Sequence, residues 1–412
     1  MIYEIFGLAI ALGLIIYFLV IKKCNIGFTM IFVSIITIII ANKSIVSFIL
    51  DISNAFLEKT TLDLLILVFL ISLIICLMEE SGNQKQIFLV LDELIQNSSL
   101  LLFFAPFFMG FMSVPGGALV SAPMIEEIDR NQGLELSSAQ KTAMNIIARE
   151  IFHPIYPLYQ TLIICASLTG ISIKIIICYE LPVVLISSMV AFFHIFYRIG
   201  KNTSKKKINK VNNRRKESVL KLLRAIYPLV VIVLLPFIFP ISYIFSTIFG
   251  IIIFLLIEKY NLIKIYKSIV ISFNKSKKIL FAIIGIIIFR CAVMELTVLS
   301  EMPKFLNERN IPVFFILLVI PFLITLILGM GSAAIGLSLA IILPIIEPNY
   351  SPASIAVIFT ATFCGYLISP MHLCLVLTRE YFDAKLMEVY YFMLPVVATA
   401  IMCIIIIWFF FN

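Results

Sequence analysis

The chain has 412 residues, of which 62% are hydrophobic and only 13% charged, with a mean hydropathy of +1.13 and a formal net charge of +8. A soluble protein of this length could not cover such a surface with polar groups. Its long Ile, Leu and Phe runs do not alternate with polar residues, which excludes a transmembrane β-barrel, so the expected fold class is an all-α polytopic membrane protein. The positive charge does not imply nucleic acid, because eleven Lys and Arg are gathered in one loop, 198–224, where they set membrane topology.

The first 21 residues carry one charge, Glu4, with no basic leader and no small-residue cleavage site. A retained span over 5–21 is expected rather than a cleaved signal peptide. Further spans are expected near 26–41 and 60–78. Between them, 43–59 mixes apolar residues with Asp51, Glu58 and Lys59, the pattern of a segment lying along the membrane surface. The 28 apolar residues 98–125 are too many for one straight crossing and too few for two. Pro115-Gly116-Gly117 sits inside them, and Glu126, Glu127 and Asp129 close them. This predicts a re-entrant hairpin over 98–130, which at membrane depth must be surrounded by protein or water. A span over 138–170 follows, interrupted by His153-Pro154-Ile155-Tyr156-Pro157. Two prolines three apart remove helix donors and push the preceding residues toward extended geometry. A span near 178–197 ends the first unit, 1–197, and the basic linker 198–224 separates it from the second, 225–412.

The second unit is predicted to repeat this order. Spans fall near 225–239, 243–257 and 279–298, with a surface segment near 262–275. A hairpin over 311–346 turns at Gly329-Met330-Gly331-Ser332. A span over 353–378 is interrupted at Gly365 and at Ser369-Pro370, and a final span covers 390–411. Short matches tie the copies together: Met78-Glu79 with Met294-Glu295, Pro106-Phe107 with Pro321-Phe322, Gly116 with Gly331, Pro154 with Pro370, and Leu181-Pro182-Val183-Val184 with Leu394-Pro395-Val396-Val397. They keep one order and nearly one offset. About ten transmembrane helices in two repeats are expected, five per repeat with a re-entrant hairpin and a broken helix in each. The odd number inverts one repeat relative to the other, a pattern of secondary transporters. With the linker cytoplasmic, both termini lie outside the cytoplasmic membrane. Cytoplasmic segments then hold 24 of the 31 Lys and Arg, in keeping with the positive-inside rule.

Candidate chemistry gathers at the interruptions. The hairpin turns would expose backbone amides and helix N-termini suited to a carboxylate. Gly116, Gly117 and Gly331 permit close approach, and Ser113 and Ser332 offer hydroxyls. At the breaks, Arg149, His153, Tyr156 and His372 are candidate substrate ligands, Arg149 because a guanidinium binds a carboxylate bidentately. Asn145, Glu150, Thr360 and Thr362 are candidates for a coupling ion, Na+ or H+. Each has a blander alternative: glycines that only allow tight turns, side chains that only satisfy freed backbone, and an Arg149 that only partners an acid. The eight cysteines show no paired metal spacing, and small core or lipid-facing roles are expected of them. No cofactor is implied. There is no His-Glu-x-x-His zinc motif and no Gly-x-Ser-x-Gly nucleophile turn, so a non-enzyme is expected.

Two inverted copies, each with a hairpin followed by a broken helix, resemble the ion transporter superfamily, which includes divalent-anion/sodium symporters, citrate and gluconate permeases and some sodium/proton antiporters. The stretch Ser-Val-Pro-Gly-Gly-Ala-Leu-Val-Ser-Ala-Pro at 113–123 is similar to an uncharacterised prokaryotic integral-membrane family of that superfamily. The resemblance implies a transport domain of hairpins and broken helices that slides against a scaffold, often in a homodimer. By position it carries substrate contacts onto Ser113, Gly116, Gly117, Gly331 and Ser332, with Asn145 and Thr362 beside them. The Ser-Asn-Thr hairpin-tip signature of sodium/dicarboxylate members is absent. The leading expectation is ion-coupled transport of a small organic anion. The alternative is a cation/proton antiporter without organic substrate.

Overall fold

A computed structural model gives the fold and describes residues 17–22, 24–40, 42–95, 97–110, 118–196, 215–296, 312–346 and 350–411, with isolated positions elsewhere. Regular structure among the described residues is helical throughout. In chain order the α-helices are α1 (Ile26–Ile40), α2 (Ile45–Leu57), α3 (Lys59–Glu80), α4 (Asn83–Leu94), α5 (Ser98–Gly110), α6 (Ala118–Gln132), α7 (Ser138–Glu150), α8 (Gln160–Thr169), α9 (Ile173–Ala191), α10 (Arg215–Ile238), α11 (Tyr243–Ile257), α12 (Leu262–Met294), α13 (Val313–Leu328), α14 (Gly331–Ile346), α15 (Pro352–Ile368), α16 (Leu373–Phe382) and α17 (Leu386–Phe411). A single 3-10 turn, His153–Ile155, lies between α7 and α8.

Among the described residues six stretches are long and apolar enough to cross a membrane: Lys59–Glu80, Ser138–Thr169, Ile173–Phe196, Glu217–Ile238, Pro352–Phe382 and Leu386–Phe411. Shorter apolar helices accompany them. The outer faces of α10, α11 and α17 expose large side chains such as Leu234, Phe237, Phe245, Phe249 and Phe409. Such a surface suits hydrocarbon rather than water. In contrast, nearly every residue of α14 and α15 is buried. These two helices form the centre of the protein.

Where helices start, the sequence supplies caps. Ser137 accepts from the Gln140 amide at 3.2 Å, and the Gln140 side chain accepts from the Ser137 amide at 3.0 Å, a reciprocal capping box. Ser44, Ser242, Asn261 and Ser351 cap α2, α11, α12 and α15 one way, each side chain accepting from the amide three residues on. At the two breaks proline stops the helix, whereas α6, α8 and α13 end at left-handed Gly133, Gly170 and Gly329. Pro154 opens the 3-10 turn after α7, and Tyr156 and Tyr159 then adopt extended backbone before α8. Ser369, which precedes Pro370, is extended too, and so is His372 at the start of α16.

Two helical hairpins pack on these breaks. The arms α5 and α6 lie against each other, as do α13 and α14. In the first half α5 packs on α7 and α6 on α16; in the second α13 packs on α15 and α14 on α8. In each half, then, the first arm meets the first piece of its own broken helix. The second arm meets the second piece of the other one. The turn of the second hairpin is tight: Gly329 has φ +65°, and a Cβ there would lie 2.6 Å from the Met371 carbonyl oxygen. Glycine is needed on both counts.

Around this centre, α12 packs along α1 and α3, α10 along α4 and α11, and α9 along α17. The α1–α12 crossing is close because Gly27 and Gly285 face each other, and a Cβ on Gly285 would lie 2.6 Å from the Gly27 carbonyl oxygen. Small residues of this kind let membrane helices approach backbone to backbone. At one end of α3, Glu79 pairs with Lys275 at 2.6 Å, and Glu80 accepts from the Ser268 hydroxyl at 2.5 Å.

Four expectations are corrected. The surface segment at 262–275 is not separate from the span at 279–298: both belong to α12. No proline or turn dipeptide divides them, and Ser268, Ser272 and Ser276 are buried along one face. Gly365 does not interrupt its helix; α15 runs through it to Ile368, and the residue gives room for the Phe322 carbonyl. The helix expected near 225–239 starts earlier, because α10 is already helical from Arg215. Helix α4, of mixed polarity, was not foreseen. The segment at 43–59 does form a helix, α2, that buries only Phe48. The expected span at 5–21 is described at eleven of its positions, all helical and ending in a π-helical turn at Tyr17–Ile21, whereas the turn Pro115-Gly116-Gly117 lies outside the described residues.

Candidate functional site

The last turn of α7 carries Arg149 and Glu150 into the centre, where they are 3% and 1% exposed. The adjoining turn brings His153, and the opposite break brings His372, at 6% and 2% exposure. His153 Nδ1 lies 2.6 Å from Glu150 Oε2, an ion-pair distance with poor hydrogen-bond alignment. Its Nε2 faces the Gly110 carbonyl at 3.2 Å, which ties the break to the end of α5. The His153 ring stacks on Tyr159, with centroids 4.8 Å apart. The His372 ring packs on Tyr366, with centroids 3.9 Å apart. The Cys374 thiol lies against the Arg149 guanidinium. Breaks far apart in sequence thus converge on one buried cluster.

The polar accounting of this cluster is incomplete, and the deficit has a sign. Among the described residues Arg149 Nε and Nη1 have no hydrogen-bond partner, and neither ring nitrogen of His372 has a well-aligned one. Among the described residues Arg149 forms no ion pair. Glu150, the nearest acid in sequence, is engaged with His153. Glu150 attracts the guanidinium without pairing with it; a buried guanidinium with unmade hydrogen bonds is unfavourable, and these donors lack an acceptor among the described residues. The chemistry that satisfies them is an anion with at least two oxygens.

A metal is the other candidate. Glu150, His372 and Cys374 bring ligand atoms within 4.8 Å of one another. That donor set would suit a soft dication. Arg149 against Cys374 places a fixed positive charge at the edge of the same set, and its repulsion favours an anion there.

The remaining sequence candidates divide. Gly331 begins α14 beside the cluster: a Cβ there would lie 3.0 Å from Thr161 Oγ1 and 3.1 Å from the Tyr159 hydroxyl. Ser332 instead lines a cavity of about 400 Å³ between the start of α1, α8, α12 and α14, with Asn25, Lys278 and Met330. Tyr156 is buried at the first break. Ser113, Gly116 and Gly117 lie outside the described residues. The proposed coupling-ion residues do not share one site. Asn145 Nδ2 donates to the Ala118 carbonyl at 3.2 Å and to Thr378 Oγ1 at 3.0 Å, joining α7 to α6 and α16, while its Oδ1 has no partner. Thr362 donates to the Ile358 carbonyl of its own helix at 2.8 Å. Thr360 donates at 2.7 Å to Glu180, a fully buried acid on α9.

Part of the blander reading holds as well. Ser369 Oγ donates to the Leu326 carbonyl at 2.7 Å, and the Tyr390 hydroxyl donates to the Ile368 carbonyl at 2.6 Å. The first satisfies a carbonyl in the last turn of α13, and the second satisfies backbone freed by the second break. Sequence reasoning missed Cys374 and Glu180. Glu180 carried a usable signal, since it is an acid within the apolar stretch Ile173–Phe196.

Apolar helices with lipid-suited outer faces, wrapped around a buried polar centre, define an α-helical membrane protein. The chain belongs to the family described as "Protein of unknown function (DUF401)", whose model matches residues 5–410. Among solved structures it is similar to the Alcanivorax borkumensis YdaH transporter, reported to have an unusual topology. The identity is 15% and the TM-score 0.56, over 86% of this chain and 89% of that one. At this identity the likeness is one of fold. Comparison with curated proteins gives no match.

Proposed function

We propose that this chain is a secondary active transporter that moves a small organic anion, a carboxylate, across the cytoplasmic membrane by alternating access, coupled to Na+ or H+. The observation that carries the reading is the buried Arg149, with two nitrogens unpartnered and His372 beside it also lacking aligned partners. Intramembrane ionisable groups are costly and mark substrate or ion pathways. Further support comes from the two hairpins, which pack on two helix breaks with the same set of partners in each half. This is the arrangement expected of inverted repeats around a midplane site. The fold shared with a transporter points the same way.

In this reading the hairpins and broken helices form the moving body of an elevator, and the outer spans form its scaffold, in a homodimer with all termini outside. The kinship to citrate, gluconate and divalent-anion permeases inferred from the sequence belongs to the same proposal. Arg149 and His372 hold the carboxylate. Gly331, at the start of α14, admits it close to the backbone amides, as Gly116 and Gly117 would in the first hairpin.

The test is a thermal-unfolding screen of purified protein against mono-, di- and tricarboxylates, each with and without Na+. A bound ligand stabilises the folded state by mass action, by about 2.7 kcal/mol at 100 times Kd. At least one carboxylate is expected to raise Tm in the wild type and not in Arg149→Gln. Equal shifts in both proteins would remove Arg149 from the site.

A further inference from the structure

The buried acid on α9 is used by nothing so far described. Glu180 is 0% exposed. Among the described residues its Oε1 accepts one hydrogen bond, from Thr360 Oγ1 at 2.7 Å, and its Oε2 has no partner. It forms no ion pair among the described residues. The neighbouring elements supply little charge. Cys165 of α8 and Cys364 of α15 lie within its electrostatic reach. No charged group of α17 or of the His153–Ile155 turn acts on it among the described residues. A bare carboxylate in such surroundings is strongly unfavourable, and buried acids in membrane proteins occur paired, cation-bound or protonated.

Its position matters as much as its isolation. Glu180 stands on α9, and its one partner, Thr360, stands on α15, the first piece of the second broken helix. The Glu180–Thr360 hydrogen bond therefore bridges an outer span and the body that carries the second break. A carboxylate at that boundary changes the energy of any relative movement according to whether its charge is neutralised.

We infer that Glu180 and Thr360 form the coupling-cation site of this protein, in which the free Glu180 oxygen takes a monovalent cation, a proton or Na+. The Thr360 hydroxyl keeps lone pairs for a cation while donating to Oε1. The site is separate from the Arg149 cluster and answers the scattering of the other coupling-ion candidates. It rests on the transport reading, and its test needs no organic anion, so either can fail alone.

Thermal unfolding of the purified full chain, without organic acids, is followed in two series. One varies NaCl against choline chloride at fixed pH. The other varies pH from mildly acid to mildly alkaline without Na+. The wild type is expected to gain on the order of 2 °C for each tenfold rise in Na+ or in proton concentration near half-saturation. The series that responds identifies the cation. Glu180→Gln keeps the side-chain volume and an acceptor for Thr360. It should unfold cooperatively but lose the Na+ response, or the part of the pH response that exceeds its own background. A Glu180→Gln protein with the wild-type response, or a wild type with no response in either series, overturns the site. If Glu180→Gln does not fold, Thr360→Val decides. It removes the hydroxyl and leaves the charge, so the half-saturating cation concentration should move by tenfold or more. An unmoved half-point overturns the proposal.

Discussion

Replacing Arg149 by Gln separates a ligand-binding role from a structural one. The guanidinium is 3% exposed, two of its nitrogens lack partners, and no acid pairs with it among the described residues. Were Arg149 one half of a buried structural pair, its removal would cost about 3–5 kcal/mol, a fall in Tm of about 4–6 °C for a chain of this length. With no acid paired to it among the described residues, and Glu150 acting on it only beyond ion-pair distance, its removal should leave the ligand-free Tm nearly level. Binding, in contrast, should weaken. A charge-assisted contact to a buried carboxylate is worth about 2–5 kcal/mol when truncated, which is roughly 30-fold to several thousand-fold in Kd. The assay is thermal unfolding with and without the carboxylate that stabilises the wild type, joined to calorimetric titration. A ligand-free Tm lowered by about 4–6 °C with unchanged affinity would refute the reasoning and make Arg149 a structural partner.

Other substitutions follow from the same geometry. Gly329→Ala places a Cβ at φ +65° and against the Met371 backbone; it should cost at least about 1–2 kcal/mol and lower Tm, and an unchanged Tm would show that the hairpin does not seat there. Gly331→Val should leave folding largely intact and abolish carboxylate binding, because the new atoms meet the Tyr159 hydroxyl and Thr161; binding retained at wild-type affinity would remove α14 from the site. Ser137→Ala removes the α7 capping box and should cost about 1 kcal/mol without altering affinity; altered affinity would show that cap and site are coupled. Gly285→Leu should disrupt the α1–α12 crossing and reduce yield of folded protein, as measured by size-exclusion chromatography in detergent; a monodisperse wild-type profile would contradict that packing.

How much could be read in the sequence depended on whether a local signal fixed the geometry. The two helix breaks were legible because Pro154, Pro157 and Pro370 remove donors and constrain the residues before them. The second hairpin was legible because Gly329 and Gly331 flank a turn between apolar arms. The end of the surface segment at 275 was not, because nothing at 276–278 stops a helix and the lysines there extend from α12. Nor was the role of Gly365 legible, since a glycine that admits a neighbouring carbonyl looks the same in sequence as one that breaks a helix. In the site, Arg149, Glu150, His153 and His372 could be picked out as polar residues at the breaks. That His153 would occupy Glu150 and leave Arg149 unpaired depends on how α7 and α16 pack, which no spacing encodes. Thr360 was chosen as an ion ligand without its acid, because Glu180 meets it only through the packing of α9 on α15.

The central claim is that the buried cluster carries an organic anion through the protein. Its most direct test is uptake of labelled carboxylates into liposomes holding the purified chain, under an imposed Na+ or pH gradient. Saturable accumulation of at least one carboxylate against its own gradient, absent in Arg149→Gln, is the expected result. Movement of Na+ or protons that ignores every carboxylate, with none accumulated, would contradict the account and leave a cation/proton exchanger in its place.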